Sequence, residues 1–416
     1  MSCLKYQCND LFIEQVPLKN IATAVGTPFY VYSQQGLETN WRSFHDAFRG
    51  IPHHIYYAVK ANSNIHILKL FAAQGSGFDI VSLGELERVL AAGGDPQKVI
   101  FSGVGKSVAE ITQAIEKNIY CFNVESEPEI KRIDAIARAL DRTVNIALRV
   151  NPNVDAKTHA HISTGLKENK FGIEMEDVVP LCETLSHFPS LHLIGIACHI
   201  GSQITELTPF LLAIDSMLAL YHTLIKQGIP IDHIDIGGGL GIRYHRENPP
   251  PIIEYAHAIQ QKLSTFPGKI MIAPGRAIVA NAGALVTQVE YLKHHHEKNF
   301  AIVDAGMNDL LRPALYEAWQ AILPVFLRDQ EALLYDVVGP VCESSDFLGK
   351  KRKLALQQGD LLAIDAAGAY GFSMSSHYNS RCLVPEVLVN GKDIKIIRRR
   401  ETIPELFAAE KEVITL

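Results

Sequence analysis

The sequence predicts a (β/α)8 barrel of the TIM type followed by a C-terminal β domain, an α/β plus all-β architecture. Three observations lead there. Eight short β-branched or aromatic runs recur between residues 55 and 273, with amphipathic stretches between them. The runs are apolar on both faces, as parallel strands covered by helices are. Beyond Arg276 the helical periodicity fades, and strands joined by turns take over.

The eight runs are IYYAV (55–59), FDIVS (78–82), VIFSG (99–103), CFNVE (121–125), NIALRV (145–150), LIGIACHI (193–200), HIDIG (233–237) and IMIA (270–273). LGELERVLAAGG and VAEITQAIEKN, which lie between them, carry helical spacing and close on Gly or Asn stops. Eight such units within about 220–250 residues suit a barrel. A doubly wound open sheet is the structural alternative. After the barrel come ALVTQVEYLKHHHEKNFAIVDAG, YDVVGPV, GDLLAIDAAGAYGF and PEVLVNGKDIKIIRRR. Within the last, Asn390-Gly391 signals a hairpin. The residues before Phe29 are expected to join this β domain, because FYVY precedes the first barrel helix. The expected division is therefore 29–276 for the barrel, with 1–28 and 277–416 in the β domain.

The chain has 416 residues, 47% apolar and 20% charged, which is ordinary for a soluble globular protein. A net charge of −6 argues against a nucleic-acid partner, which would require a basic face. MSCLKYQCND has neither the charged start nor the apolar core of a signal peptide. FLLAIDSMLALYH, the most apolar long run, contains Asp215 and reads as a buried helix rather than a membrane span. Seven cysteines without a C-x-x-C pair fit a reducing compartment. A cytoplasmic protein with no membrane partner is the expectation.

Several polar groups fall where barrel chemistry sits. YAVKAN places Lys60 at the C-terminal end of the first strand, the catalytic face of such barrels. Alone, it reads better as a surface charge; desolvated by the apolar strand, it becomes a carbonyl-binding nucleophile. CHIGS ends the sixth strand and could lay His199 flat against a planar cofactor, with Ser202 donating to a phosphate. GGGLG (237–241) follows the seventh strand and MIAPGR (271–276) spans the end of the eighth. Glycine-rich turns let backbone amides approach an anion. Two such turns after strands seven and eight coincide with the usual phosphate position of the barrel. RPALY (312–316), CESSD (342–346) and GAYG (368–371) are polar islands in the β domain. His294, His295 and His296 are consecutive and cannot all face one ion, so they read as an exposed turn; no metal is expected.

Taken in order, YAVKAN, HIGSQ, GGGLG, PGR, CESSD and GAYGF resemble the fold-type III pyridoxal-phosphate decarboxylases over nearly the whole chain. RPALY and STGLKENKFGI (163–173) narrow the resemblance to members acting on meso-2,6-diaminopimelate, in lysine biosynthesis. The resemblance implies a barrel plus β domain and pyridoxal 5′-phosphate as cofactor. It implies that Lys60 links covalently to the cofactor and that His199 stacks on its ring. Ser202, the Gly238 and Gly239 backbone, the turn of Pro274, Gly275 and Arg276, and Tyr370 would hold the phosphate. Arg276, Arg312, Tyr316 and Tyr370 would bind substrate, the two arginines and Tyr316 at its distal carboxylate. Glu343 would take the distal ammonium, and Cys342 would be the proton donor. Cys342 and Glu343 would come from the neighbouring subunit of a homodimer. A substrate with a charged pair at each end needs such cationic groups, whereas ornithine or arginine would leave them unmatched.

Two positions depart from the family pattern. Ala273 stands where a glutamate normally pairs with the pyridine nitrogen of the cofactor. Its loss implies on the order of 1–4 kcal/mol less carbanion stabilisation, roughly tenfold to a thousandfold in rate. A substitution introduced by design, a compensating carboxylate such as Asp79, and a role in cofactor binding or regulation without catalysis are the three explanations. His377 stands where asparagine is usual.

Overall fold

The computed structural model describes residues 2–155 and 170–411. Contacts divide them into two compact units. One holds residues 40–242 and 247–277; the other holds 1–39, 243–246 and 278–416.

In the first unit all eight predicted runs are strands: β1 (His53–Ala58), β2 (Gly77–Ile80), β3 (Val99–Phe101), β4 (Cys121–Val124), β5 (Val144–Asn151), β6 (Leu191–Ala197), β7 (His233–Asp235) and β8 (Lys269–Ile272). Each pairs in parallel with the next, and β8 pairs with β1 through Ile272 and Ile55. The ring is closed, so the open-sheet alternative falls. Tyr56, Ile100, Cys121, Ala147, Ile194 and Met271, from six different strands, fill its interior.

Helices cover the barrel where sequence signals start and stop them. Ser82, Ser107 and Ser126 cap helices α1 (Leu83–Ala91), α2 (Val108–Glu116) and α3 (Glu127–Ala139). Each hydroxyl accepts an otherwise orphaned backbone amide. Past the ends of α1 and α2 the chain turns left-handed at Gly93 and Asn118. The apolar run around Asp215 lies in α4 (Thr208–Lys226), which is long and apolar enough to cross a membrane. It is only half buried: Phe210, Ile214, Met217 and Leu224 face inward, while Asp215 is exposed and bonds Lys262 at 2.7 Å. Expected as a buried helix, it is instead an amphipathic one, with Asp215 on its wet face.

The second unit is built on a mixed sheet. Its long strand Gly283–His294 runs antiparallel to Phe29–Ser33, Asn299–Val303 and Leu361–Ile364. Phe29–Ser33 pairs in parallel with Glu386–Asn390, which turns through Gly391 (φ 59°) into Asp393–Arg398. This is the hairpin that Asn390-Gly391 signals. Phe29, Val31, Val286 and Val387 form the core together with Leu11, Ile13, Leu18 and Ile21 of the N-terminal segment. The boundary drawn at Phe29 thus moves to between Thr39 and Asn40. FYVY is a central strand of this sheet, buried on both faces, and not a prelude to the barrel.

Candidate active site

Lys60 lies just past β1, on a single helical turn, Val59–Ala61. That turn packs on the one carrying Pro274 and Gly275. The Ala58 amide donates to the Pro274 carbonyl at 3.2 Å. A Cβ on Gly275 would sit 3.0 Å from the Ala61 Cβ and 3.1 Å from the Ala58 Cβ. Glycine is therefore required for the strand 1 and strand 8 ends to meet this closely. The lysine is not sealed by apolar surface, as the desolvated reading expects. Its side chain is 37% exposed, and Nζ lies 3.9 Å from Asp79 Oδ2. A carboxylate, rather than an apolar wall, is what faces it.

His199 follows β6, and its half-buried ring lies against the glycine run. The Gly238 amide donates to His199 Nδ1 at 3.3 Å, which leaves the ring proton on Nε2. Burial, reinforced by the charges of Lys60 and Arg149, holds this imidazole well below its ordinary range, so it is neutral at pH 7. A Cβ on Gly237 would meet the Cys198 carbonyl at 2.5 Å and His199 Nδ1 at 2.9 Å; one on Gly238 would meet the Ala273 carbonyl at 2.2 Å. Gly239 has φ 112°, where side chains are strained. The run is glycine because three strand ends converge on it. Beside it, the buried Arg276 donates from Nη2 to Ser202 Oγ at 3.0 Å and from Nε at 3.3 Å. A hydroxyl that accepts from a guanidinium keeps its own proton for an anion.

Ala273 lies in the same cluster. Its amide donates to the Gly237 carbonyl at 2.8 Å, and its side chain packs on the barrel interior.

Beneath this mouth runs a hydrogen-bonded chain that the motifs do not announce. Ser102 Oγ donates to Asp79 Oδ1 at 2.6 Å. Asn123 Nδ2 donates to Ser102 Oγ at 3.3 Å and to Asp235 Oδ2 at 3.2 Å, and Asp235 Oδ1 accepts the Gly237 amide at 2.8 Å. Asn123 Oδ1 is buried without a hydrogen-bond partner. Burial pushes Asp235 up to about 7, with the Asp79 charge adding to it. Arg149 reaches Glu125 at 2.7 Å, and burial lifts Glu85, which feels the Lys60 charge, to about 7. Asn123 is the single polar residue of its strand, whereas Arg149 and Asp235 share theirs with Asn145, Asn151 and His233.

The remaining predicted residues lie in the second unit. Arg312 is buried and opens the short helix Arg312–Tyr316. Cys342 and Glu343 are exposed on a loop that Asp346 ties down, through the Val341 and Met307 amides, each at 2.7 Å. The Cys342 amide donates to Asn379 Oδ1, and Tyr378 donates to Glu343 at 3.2 Å. Tyr370 has φ 52°, in a loop fixed by the Gly368 amide on the Ala280 carbonyl. His377 pairs with Glu401 at 2.8 Å. His294, His295 and His296 end a strand in an exposed turn, and no metal-binding cluster occurs among the described residues. Positions 163–169 of STGLKENKFGI lie outside those residues; its Phe171 packs under the Arg149 guanidinium at 4.9 Å.

A family profile described as "Pyridoxal-dependent decarboxylase, pyridoxal binding domain" matches residues 34–280, more than half of the chain and all eight barrel strands. The protein is a pyridoxal-dependent decarboxylase by class. Relatives of full length narrow it further. The chain is 55% identical over 402 residues to the diaminopimelate decarboxylase of Vibrio cholerae, covering 96% of each. It superposes on the Helicobacter pylori diaminopimelate decarboxylase complexed with L-lysine with a TM-score of 0.92 at 43% identity, over 95% of this chain and 99% of that one. The corresponding M. jannaschii structure, also with L-lysine, gives 0.94 at 36%, over 99% and 98%. The chain belongs to the diaminopimelate decarboxylase family.

Pyridoxal phosphate fits the barrel mouth. Lys60 offers an amine beside a carboxylate, His199 a neutral planar ring, and Ser202, Arg276 and the glycine turns an anion cradle. Ala273, in the same cluster, brings no charge to it.

Proposed function

We propose that the protein decarboxylates meso-2,6-diaminopimelate to L-lysine and carbon dioxide. The observation that carries this reading is the gathering of Lys60, His199 and the Arg276–Ser202 pair at the strand ends of one closed barrel. The lysine held by the Helicobacter and M. jannaschii relatives supports the substrate, since lysine is diaminopimelate less one carboxylate. Bound pyridoxal phosphate supplies the sink for the electron pair released when the carbon–carboxylate bond breaks.

The chain's own residues do the rest. Lys60 would hold the cofactor through its amine, with the Asp79 carboxylate 3.9 Å away. His199, neutral, covers the ring face and keeps water from it. Ser202, the backbone of Gly238 and Gly239, the turn of Pro274 and Gly275, and Tyr370 hold the phosphate. Arg276, Arg312 and Tyr316 select the distal carboxylate, Glu343 the distal ammonium, and the Cys342 thiol returns a proton to the α-carbon. Cys342 and Glu343 serve a second copy of the chain in a homodimer of the cytoplasm. Ala273 attenuates the rate without loosening the cofactor.

Incubation of the cofactor-loaded protein with meso-diaminopimelate is expected to release lysine and carbon dioxide in equal amounts. A loaded protein that yields neither over long incubation is instead a cofactor-binding homologue, the reading that Ala273 favours.

A further inference from the structure

Residues Arg243–Arg246 follow the glycine run of the barrel in sequence, yet they belong to the β unit. Two ring contacts hold them there. The Arg312 guanidinium carbon lies 4.5 Å from the centre of the Tyr244 ring, with both residues under 10% exposed (6% and 9%). His245 stacks on Trp319 at 4.1 Å and 16°, and Arg352 covers Trp319 at 4.2 Å. His245 and Arg352 thus both contact the Trp319 ring. The turn Arg312–Tyr316 is therefore braced at its first residue by Tyr244 and just beyond its last by His245.

We propose that Tyr244 is a positioning residue that sets the Arg312 guanidinium for the distal carboxylate of the substrate, with the His245–Trp319–Arg352 stack fixing the segment that carries it. A guanidinium seated on a ring face is held there without spending a donor on the ring. A carboxylate in place of the ring would offset the charge that the substrate must meet. The ring also fixes the plane of the fork, and two-point recognition of a carboxylate depends on that plane. This inference rests on the role of Arg312 in the proposed function and deepens it.

The test compares two ligands of the cofactor-loaded enzyme by the change in cofactor absorbance on binding. Meso-diaminopimelate carries the distal carboxylate; D-lysine presents the same reacting end without it. Tyr244→Leu is expected to weaken diaminopimelate binding about tenfold or more and to leave D-lysine within about twofold. KM for diaminopimelate rises in parallel while kcat holds within about twofold. Tyr244→Phe, which keeps the ring, retains both affinities. Tyr244→Met, of similar bulk without a π face, replaces the leucine variant should that fail to fold. Equal weakening of both ligands, or an unchanged preference for diaminopimelate, overturns the assignment. Wild-type protein that binds diaminopimelate without converting it sinks the proposed reaction alone, since the binding ratio still decides the role of Tyr244.

Discussion

Ala273 is held by its backbone, and that decides what restoring a carboxylate there should do. Its amide is bonded to Gly237 and its carbonyl lies under Gly238, so Ala273→Glu adds a carboxylate at a position whose backbone is already pinned. The variant is expected to turn over diaminopimelate roughly tenfold to a thousandfold faster, with little change in cofactor affinity, as steady-state rates and cofactor titration would show. No gain would mean that another group already protonates the ring nitrogen. Asp235 is the other unusual carboxylate. Its folded-state value of about 7 lies above the ordinary 3.8, chiefly through burial. The folded protein therefore keeps a proton that the unfolded chain releases. The stability this confers is full below the ordinary value and is lost as pH rises through about 7. Between pH 5 and 8 the wild type should lose on the order of 2–3 kcal/mol more than Asp235→Asn, read from denaturant unfolding at the two pH values.

At the scale of elements, the glycine run shows how close packing builds the cradle. Gly238→Ala places a methyl 2.2 Å from the Ala273 carbonyl, so the turns after β7 and β8 must part. A stability loss of about 1–3 kcal/mol is expected, together with at least about tenfold weaker cofactor retention after dialysis. Gly84→Ala is the control. That position is helical, and its added methyl meets nothing nearer than Ser82 Oγ at 3.8 Å, so the change should be neutral or stabilising. The barrel strands were legible because each is a short apolar run, and three of the helices add a serine cap to it. Phe29–Ser33 carries the same apolar signal, but periodicity does not say which sheet a strand joins. Its partners lie at 283–286 and 386–389, far along the chain. The Asp79–Ser102–Asn123–Asp235 chain was hidden for the same reason. Its Asn123–Asp235 link spans 112 residues and exists only once the ring closes. Lys60, His199 and Arg276 could be found because each ends a strand or opens a turn, whereas Tyr244 could not. RYHR reads as loop until its aromatic partners are known.

At the scale of the whole molecule, the proposed function makes Cys342 the proton donor and raises the question of where it acts. Cys342 and Glu343 stand exposed, on a loop that Asp346 keeps rigid. A thiol left in bulk water has no advantage as a proton donor, because water competes with it and screens its neighbours. Its use demands a cover, and a second copy of this chain can supply one while receiving the same service in return. Such an exchange would be isologous: each subunit would lend its loop to the other. The consequence can be measured with two inactive variants. Lys60→Ala lacks the cofactor anchor and Cys342→Ala lacks the donor, so each alone should fall at least about a hundredfold in turnover. Co-expressed with distinct tags and purified through both, the mixed dimer has one site built from two intact contributions and one from two damaged ones. It should recover about half the wild-type rate, and an unselected equal mixture about a quarter. Sites confined to one chain give the opposite result: the mixed dimer would be as inactive as its parents, because each chain would carry its own lesion into its own site.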